Sequence, residues 1–280
     1  MLNKSKPFHD LTFLIPLHTE IDWFESIQST LSELEKLGAT IIIGLNFPPK
    51  FRNKNVHKNP DFVYLSYDKY LAANQNWQEL RKYVETSFFR YWFAGDFINI
   101  INVHFHLLEL RNNDNLSFTF SCRGLRYKNF IFKSAAIQRF KYWGKTPRTI
   151  ESDEILRSIQ ETGSNFIGEP SFVTFRNQLA PITWDASSGY AIELDYYYRC
   201  TEIMPARYVP GNAGNFGISV NSGTFKLRRS QYRDLITWIQ PLWNNSLQMP
   251  LRKTKMKSVY FFRSLFLYIL WFLEKLSFAK

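Results

Sequence analysis

The chain has 280 residues, of which 45% are hydrophobic and 18% aromatic, and only 12 are glycine. Such a composition excludes a disordered or fibrous protein and supports one sizeable core or two small ones. The formal charge of +11 is uneven: residues 252–280 carry seven Lys or Arg against Glu274, a net +6, which leaves +5 for everything before them. A basic body suits a polyanionic partner, whether anionic lipid, nucleic acid or a phosphorylated ligand. Cys122 and Cys200 stand far apart, outside metal-type spacing, and read as reduced thiols of a cytosolic protein. The first ten residues are polar, with no apolar leader segment.

In chain order, "LTFLIPL" (residues 11–17), closed by Pro16, reads as a buried strand. Residues 22–38 place apolar side chains at 23, 24, 27, 31, 34 and 37 and stop at Gly38, a helix with Asp22 as its cap. "ATIIIGLN" and, after a Lys- and Pro-rich loop, "DFVYLSY" read as two further strands. A helix is expected over 70–85, and "FFRYWFAGD" as a fourth strand ending on Asp96. Strands alternating with helices predict an α/β domain with a mostly parallel sheet. In such sheets ligands bind beyond the carboxyl ends of the strands, where Pro16, Leu17, Thr19, Asn46 and Asp96 fall. "NIINVHFHLLELR" has a helical pattern, which points His104 and His106 in different directions and argues against a metal pair.

The second half is less regular. "LSFTFSC" reads as a strand, and residues 152–162 as a helix capped by Ser152 and ended by Gly163. "NFIGEPSFVTFR" sets a Gly-Glu-Pro turn at the mouth of a β-branched and aromatic strand. Glu169 there is either a solvated turn residue or an acid that needs a partner, because carboxylates are rarely buried unpaired. "TWDASSGYAI" reads as a loop, followed by a helix opening near "ELDYYYRC". Its Glu193 and Asp195 either serve the helix dipole alone or carry chemistry. "GNAGNFG" (211–217) lacks the dinucleotide fingerprint and reads as a loop; neither a GxxxxGK[ST] phosphate loop nor a GxSxG elbow occurs. Basic residues of the body are scattered among acids, so nucleic acid is not an expected partner. The composition changes near Pro250. Beyond it, a cationic stretch leads into "SVYFFRSLFLYILWFL", shorter than a bilayer span and suited to an interfacial anchor. The alternative is a helix docked on the core or on a second subunit of a homodimer.

Taken together, these segments resemble the bacterial family 2 nucleotide-sugar glycosyltransferases of GT-A fold that build capsule, O-antigen or lipooligosaccharide chains. "FLIPLHTEIDWFESIQSTL" is similar to the family's opening strand, turn and helix. "YLAANQNWQELRKYVETSFFRYWFAGD" resembles its Asn-Trp helix followed by the strand that delivers a metal-binding DXD motif. "NFIGEPSFVTFR", "WDASSGYAIELDYYYRC" and "FGISVNSGTFKLRRSQYRDLITWI" are similar to its Gly-Glu-Pro turn, acidic helix start and closing segment. The resemblance spans roughly residues 11–240; the order and spacing of the segments carry it, since no one motif is specific.

The resemblance implies a catalytic domain over 1–250 and a membrane-associating tail over 251–280. It implies nucleotide contacts at Pro16, Leu17, Thr19, Glu20, Asn46, Asn76 and Asp96, and sugar contacts at Gly168, Glu169, Trp184 and Asp185. Glu193 and Asp195 are rival candidates for the base that takes the acceptor hydroxyl proton in an inverting displacement. UDP is the favoured nucleotide, and a lipid-linked surface glycan the implied acceptor, reached from the cytoplasmic face of a bacterial inner membrane. Two departures stand out. The acidic cluster is reduced to Asp96, so Mg2+ or Mn2+ has one carboxylate where two hold it better, and Glu193 stands where the family has Asp. A GT-A-like module that binds nucleotide or glycan without transfer is the alternative.

Overall fold

The structure, a computed structural model, describes residues 6–18, 21–48, 58–127, 130–179, 182–218, 230–242 and 249–277. Ten strands form one sheet: β1 (Leu11–Leu17), β2 (Thr40–Leu45), β3 (Val63–Ser66), β4 (Phe88–Tyr91), β5 (Phe97–Ile98), β6 (Phe118–Tyr127), β7 (Phe130–Phe132), β8 (Arg148–Ile150), β9 (Val173–Arg176) and β10 (Ala206–Gly217). Their order is β3-β2-β1-β4-β9-β6-β10-β5, with β7 on β6 and β8 on β10. The pairings make β3, β2, β1, β4, β6 and β10 run in one direction, so the sheet is mostly parallel, as expected from the sequence.

Helices cover both faces, which is why β1 is buried at every position and reads as an unbroken apolar run. Helix α1 (Ile21–Lys36) buries Ile21, Phe24, Ile27, Leu31 and Leu34 on one stripe. Together with α3 (Ile100–Asn112), it packs on Phe13, Ile15 and Leu17 of β1. The opposite face takes Leu14 of β1, together with α2 (Ala73–Arg81), α5 (Ser152–Thr162) and α6 (Ile192–Ile203). Helix α4 (Lys133–Trp143) lies on β6 and β10.

Several expectations are corrected: Asp22, expected to cap α1, lies inside its first turn, and Ala186–Ala191, read as loop, forms a short 3-10 helix capped by Asp185. The strand of residues 88–96 stops at Tyr91. The chain then turns at Gly95, φ 87°, and β5 pairs antiparallel with β10. The segment 211–217, read as a loop, is the end of β10, with irregular register on β6. Its glycines reflect close backbone approach: a Cβ at Gly214 would lie 1.9 Å from Phe97 O, and one at Gly217 2.1 Å from Gly95 O. Ser152 is the first helical residue, with Glu151 in the cap position. Helix α2 is shorter than the expected 70–85.

The C-terminal helix Met249–Ser277 docks by Met256 and Tyr260, both buried, and by Phe266, whose ring meets Phe132 edge-on at 5.7 Å. Among the described residues no helix is long and apolar enough to cross a membrane.

Candidate active site

The parallel strands end on one side of the sheet, and there the chain gathers three carboxylates. Asp96 follows the Gly95 turn and is 1% exposed. Its Oδ1 accepts from the Gly217 backbone N–H at 3.0 Å, and its carbonyl accepts from Trp92 Nε1 at 3.0 Å. Burial pushes the Asp96 carboxyl up to about 8, and the negative charge of Glu169 adds to that; the Ser171 hydroxyl, the Gly217 N–H and Arg123 oppose it. Ser171 also accepts from Phe93 N at 2.8 Å, while its carbonyl takes Nε of the buried Arg90 at 2.8 Å.

Glu169 sits at the turn before β9, and Arg123 projects from β6 to meet it. Arg123 Nη2 donates to Glu169 Oε1 at 2.5 Å, and Nε pairs with Oε2. The guanidinium also lies over the Phe216 ring at 5.0 Å. Gly168 is needed beneath it, since a Cβ there would stand 2.8 Å from Arg123 Nε. Glu193, in the first turn of α6, accepts from Asn165 Nδ2 at 3.2 Å. Burial raises its carboxyl well above the usual range; Glu169 and Asp96 add to this, and Arg123 opposes it. Tyr197, one turn along α6, donates its hydroxyl to Gly168 O at 2.9 Å. Asp96, Glu169 and Glu193 thus form one electrostatic unit around a single guanidinium.

Asp195 points elsewhere. It pairs with Arg199 at 2.7 Å and accepts from Trp238 Nε1 at 3.0 Å. Asn46 at the end of β2 is consumed locally: it accepts from Leu71 N at 2.9 Å and donates to Leu71 O at 3.0 Å. Pro16 and Leu17 end β1 and are buried. Asn76 on α2 lies behind Gly44 with both side-chain polar atoms buried and without hydrogen-bond partners. Trp184 stacks on Tyr196 at 3.8 Å and borders a cleft of about 290 Å³ together with Leu71 and Asn74. Asp185 accepts from Ser187 N at 2.8 Å, which holds its exposed carboxyl below the usual range. Thr19 and Glu20 lie outside the described residues. A larger cleft of about 430 Å³ opens at the amino ends of the strands around Lys6, His9 and Asp61, away from the carboxylates.

The sequence did not single out Arg123, Asn165, Ser171, Tyr197 or Gly217. The one visible signal was Arg123, a cation that extends the Ser117, Thr119, Ser121 face of an alternating strand.

Among the described residues no three His, Cys, Asp or Glu converge to hold a metal ion. Asp96 Oδ2 is nevertheless buried without a hydrogen-bond partner, as is Arg123 Nη1. Such open groups are few in native interiors. Mg2+ and Mn2+ are commonly held by one or two carboxylates and completed by phosphate oxygens and water. One open carboxylate oxygen fits that minimal role.

The raised carboxyls carry a stability signature. In the unfolded chain Asp and Glu titrate near pH 4. Folding that retains their protons is therefore favoured fully below about pH 4, and the advantage is lost as pH rises toward the folded value of Asp96, about 8. Asp96→Asn should gain thermal midpoint over the wild type as pH rises from about 5 to 8. A difference between the two proteins that does not change with pH would contradict the assignment.

No protein-family model matches the sequence, and no curated protein does. The fold is similar to that of a mannosyltransferase, PcManGT from Pyrobaculum calidifontis, in complex with GDP-Man and Mn2+. The TM-score is 0.59 at 9% identity, over 95% of this chain and 74% of that one. It is also similar to S. aureus TarS 1-349 in complex with UDP, with TM-score 0.52 at 11% identity, over 90% and 70% of the two chains. The chain spans 65% of another structure of that TarS fragment and 43% of a longer one. The shared architecture is the GT-A-like arrangement, a mostly parallel sheet between helices.

Proposed function

We propose that the chain is a nucleotide-sugar glycosyltransferase whose reaction centre is the Asp96–Glu169–Glu193 group around Arg123. The observation that carries this reading is the placement of two buried carboxylates, Asp96 and Glu169, the half-buried Glu193 and one guanidinium at the carboxyl ends of the strands of a GT-A-like sheet. The solved structures of similar fold bind UDP or GDP-Man, which supports a nucleotide-sugar donor.

Asp96 would hold a divalent cation through Oδ2; when bound, the cation offsets the charge that develops on the leaving diphosphate. Arg123 Nη1, the open donor of the ion pair, would favour the same anion. Glu169, held in place by Arg123, would accept hydrogen bonds from sugar hydroxyls. Glu193 is the better-placed base. Its raised carboxyl binds a proton readily, and its neighbours are the other two carboxylates, whereas Asp195 is tied to Arg199. As the acceptor oxygen attacks the anomeric carbon, its proton passes to Glu193 and the C–O bond to the diphosphate breaks. One base and one displacement give inversion.

UDP is the favoured nucleotide, and the acceptor a lipid-linked glycan of the capsule, O-antigen or lipooligosaccharide type. Residues 1–250 would form the catalytic domain and 251–280 the attachment to the cytoplasmic face of a bacterial inner membrane. A donor screen that scores release of nucleoside diphosphate, with and without Mg2+ or Mn2+, tests the activity. Turnover that requires the cation in wild type and disappears in Asp96→Asn is the expected result. Nucleotide binding without turnover for any donor would instead favour a silent binding module.

A further inference from the structure

The C-terminal helix is apolar on two opposite sides. At about 100° per residue, Met256, Val259, Tyr260 and Phe266 fall on one arc of about 120° and face the protein. Phe261, Phe262, Leu265, Tyr268, Ile269 and Phe272 fall on the opposite arc of similar width, and all are exposed, Phe262 at 66%. Lys255 and Lys257, also exposed, lie at the two edges of that outer arc. An apolar stripe bordered by cations is the pattern of a helix that lies in a lipid headgroup layer.

A second apolar element sits beside it. Strands β6 and β7 form a hairpin whose paired ends are Tyr127 and Phe130. Phe132 packs on Phe266 of the helix, and alternation puts Phe130 on that same strand face, about 7 Å further out. Phe130 is 72% exposed and Ile131 is half-exposed on the other face. Two large apolar residues at a hairpin end, next to an outward apolar helix face, exceed the scattered surface hydrophobics of an ordinary monomer.

The same hairpin leads back to the reaction centre. Arg123 and Tyr127 are four residues apart on β6, about 13 Å along the strand. Ile218, which packs with Tyr127 and Phe266, directly follows the Gly217 that holds Asp96.

We infer that the end of the β6–β7 hairpin and the outer face of the C-terminal helix insert together into an anionic bilayer, beside the ligand side of the sheet. The inference rests on the tail's membrane attachment proposed above, and adds the second inserting element and the direction in which the site faces. Charge complementarity favours lipid over a second copy: the exposed Lys255 and Lys257 border the apolar stripe, and a copy of the same surface would set like charges against them.

The test is co-sedimentation with vesicles of phosphatidylcholine containing phosphatidylglycerol. It compares wild type, Phe130→Ser/Ile131→Ser, and a chain lacking 251–280. Both hairpin positions are exposed, so the double variant should keep the wild-type thermal midpoint. Its vesicle partition coefficient should fall about tenfold, as removal of two partly inserted apolar side chains implies; loss of the tail should remove binding. In parallel, Phe130→Cys carrying an environment-sensitive dye should blue-shift on vesicles; Cys122 and Cys200 are buried and should remain unlabelled. If the hairpin variant binds like wild type and the dye stays in water while tail deletion releases the protein, the hairpin inference falls and the tail reading stands. If tail deletion also leaves binding unchanged, both fall. A dimer that becomes monomeric in the hairpin variant without lipid would assign the surface to a second copy and overturn the inference.

Discussion

Glu193→Gln is expected to lower the rate of sugar transfer by about 10²–10⁴, the usual contribution of a positioned proton acceptor. Nucleotide affinity should stay near wild type. The amide keeps the Asn165 contact in shape and removes a charge that the cluster disfavours, so folding should not suffer. Asp195→Asn is the contrasting variant. It breaks a pair with Arg199 on a different side of α6, and should cost well under tenfold in rate. Initial rates with a saturating donor, alongside nucleotide binding by calorimetry, separate the two. Near-normal transfer in Glu193→Gln, or a collapse confined to Asp195→Asn, would move the base to Asp195.

Arg123→Met should have the largest effect on stability. The guanidinium pairs with the buried Glu169 and is the nearby cation that opposes the burial-raised carboxyls of Asp96 and Glu193. Removing one partner of a buried ion pair typically costs about 3–5 kcal/mol. Adding Glu169→Gln to Arg123→Met should restore most of that loss, because no unpaired buried charge remains at the turn. Urea midpoints of the two proteins measure the difference. A single variant as stable as the double would show that Glu169 is not held by Arg123.

Much of the first half of the fold was legible in the sequence, because β1, α1 and β2 are buried by simple patterns that need no distant partner. Pro16 and Asn46 were placed at strand ends by the same alternation. The split of β4 from β5 was not legible. It depends on Gly95 and on β10, whose glycines matter only because another backbone touches them. Arg123 was hidden for a similar reason: an Arg on the polar face of an alternating strand looks solvent-facing until Glu169 is brought to it by the turn before β9. That Glu193 and Asp195 could not share a task was readable, since residues two apart on a helix point about 200° apart. Which of the two faced the carboxylates was set by Asn165 and Arg199, and so by tertiary packing.

The clasp between Gly217 and Asp96 also sets when the carboxylate cluster is completed. Its two residues are separated by 121 positions, so at ribosomal speeds of about 5–20 residues per second Asp96 emerges on the order of ten seconds before its backbone donor. During that interval β1 to β4 have the local sequence to pair, but β10, which seats the acid, has not been made. A nascent chain released before Gly217 carries a half sheet with an unplaced carboxylate, and the seat of Asp96 arrives with β10.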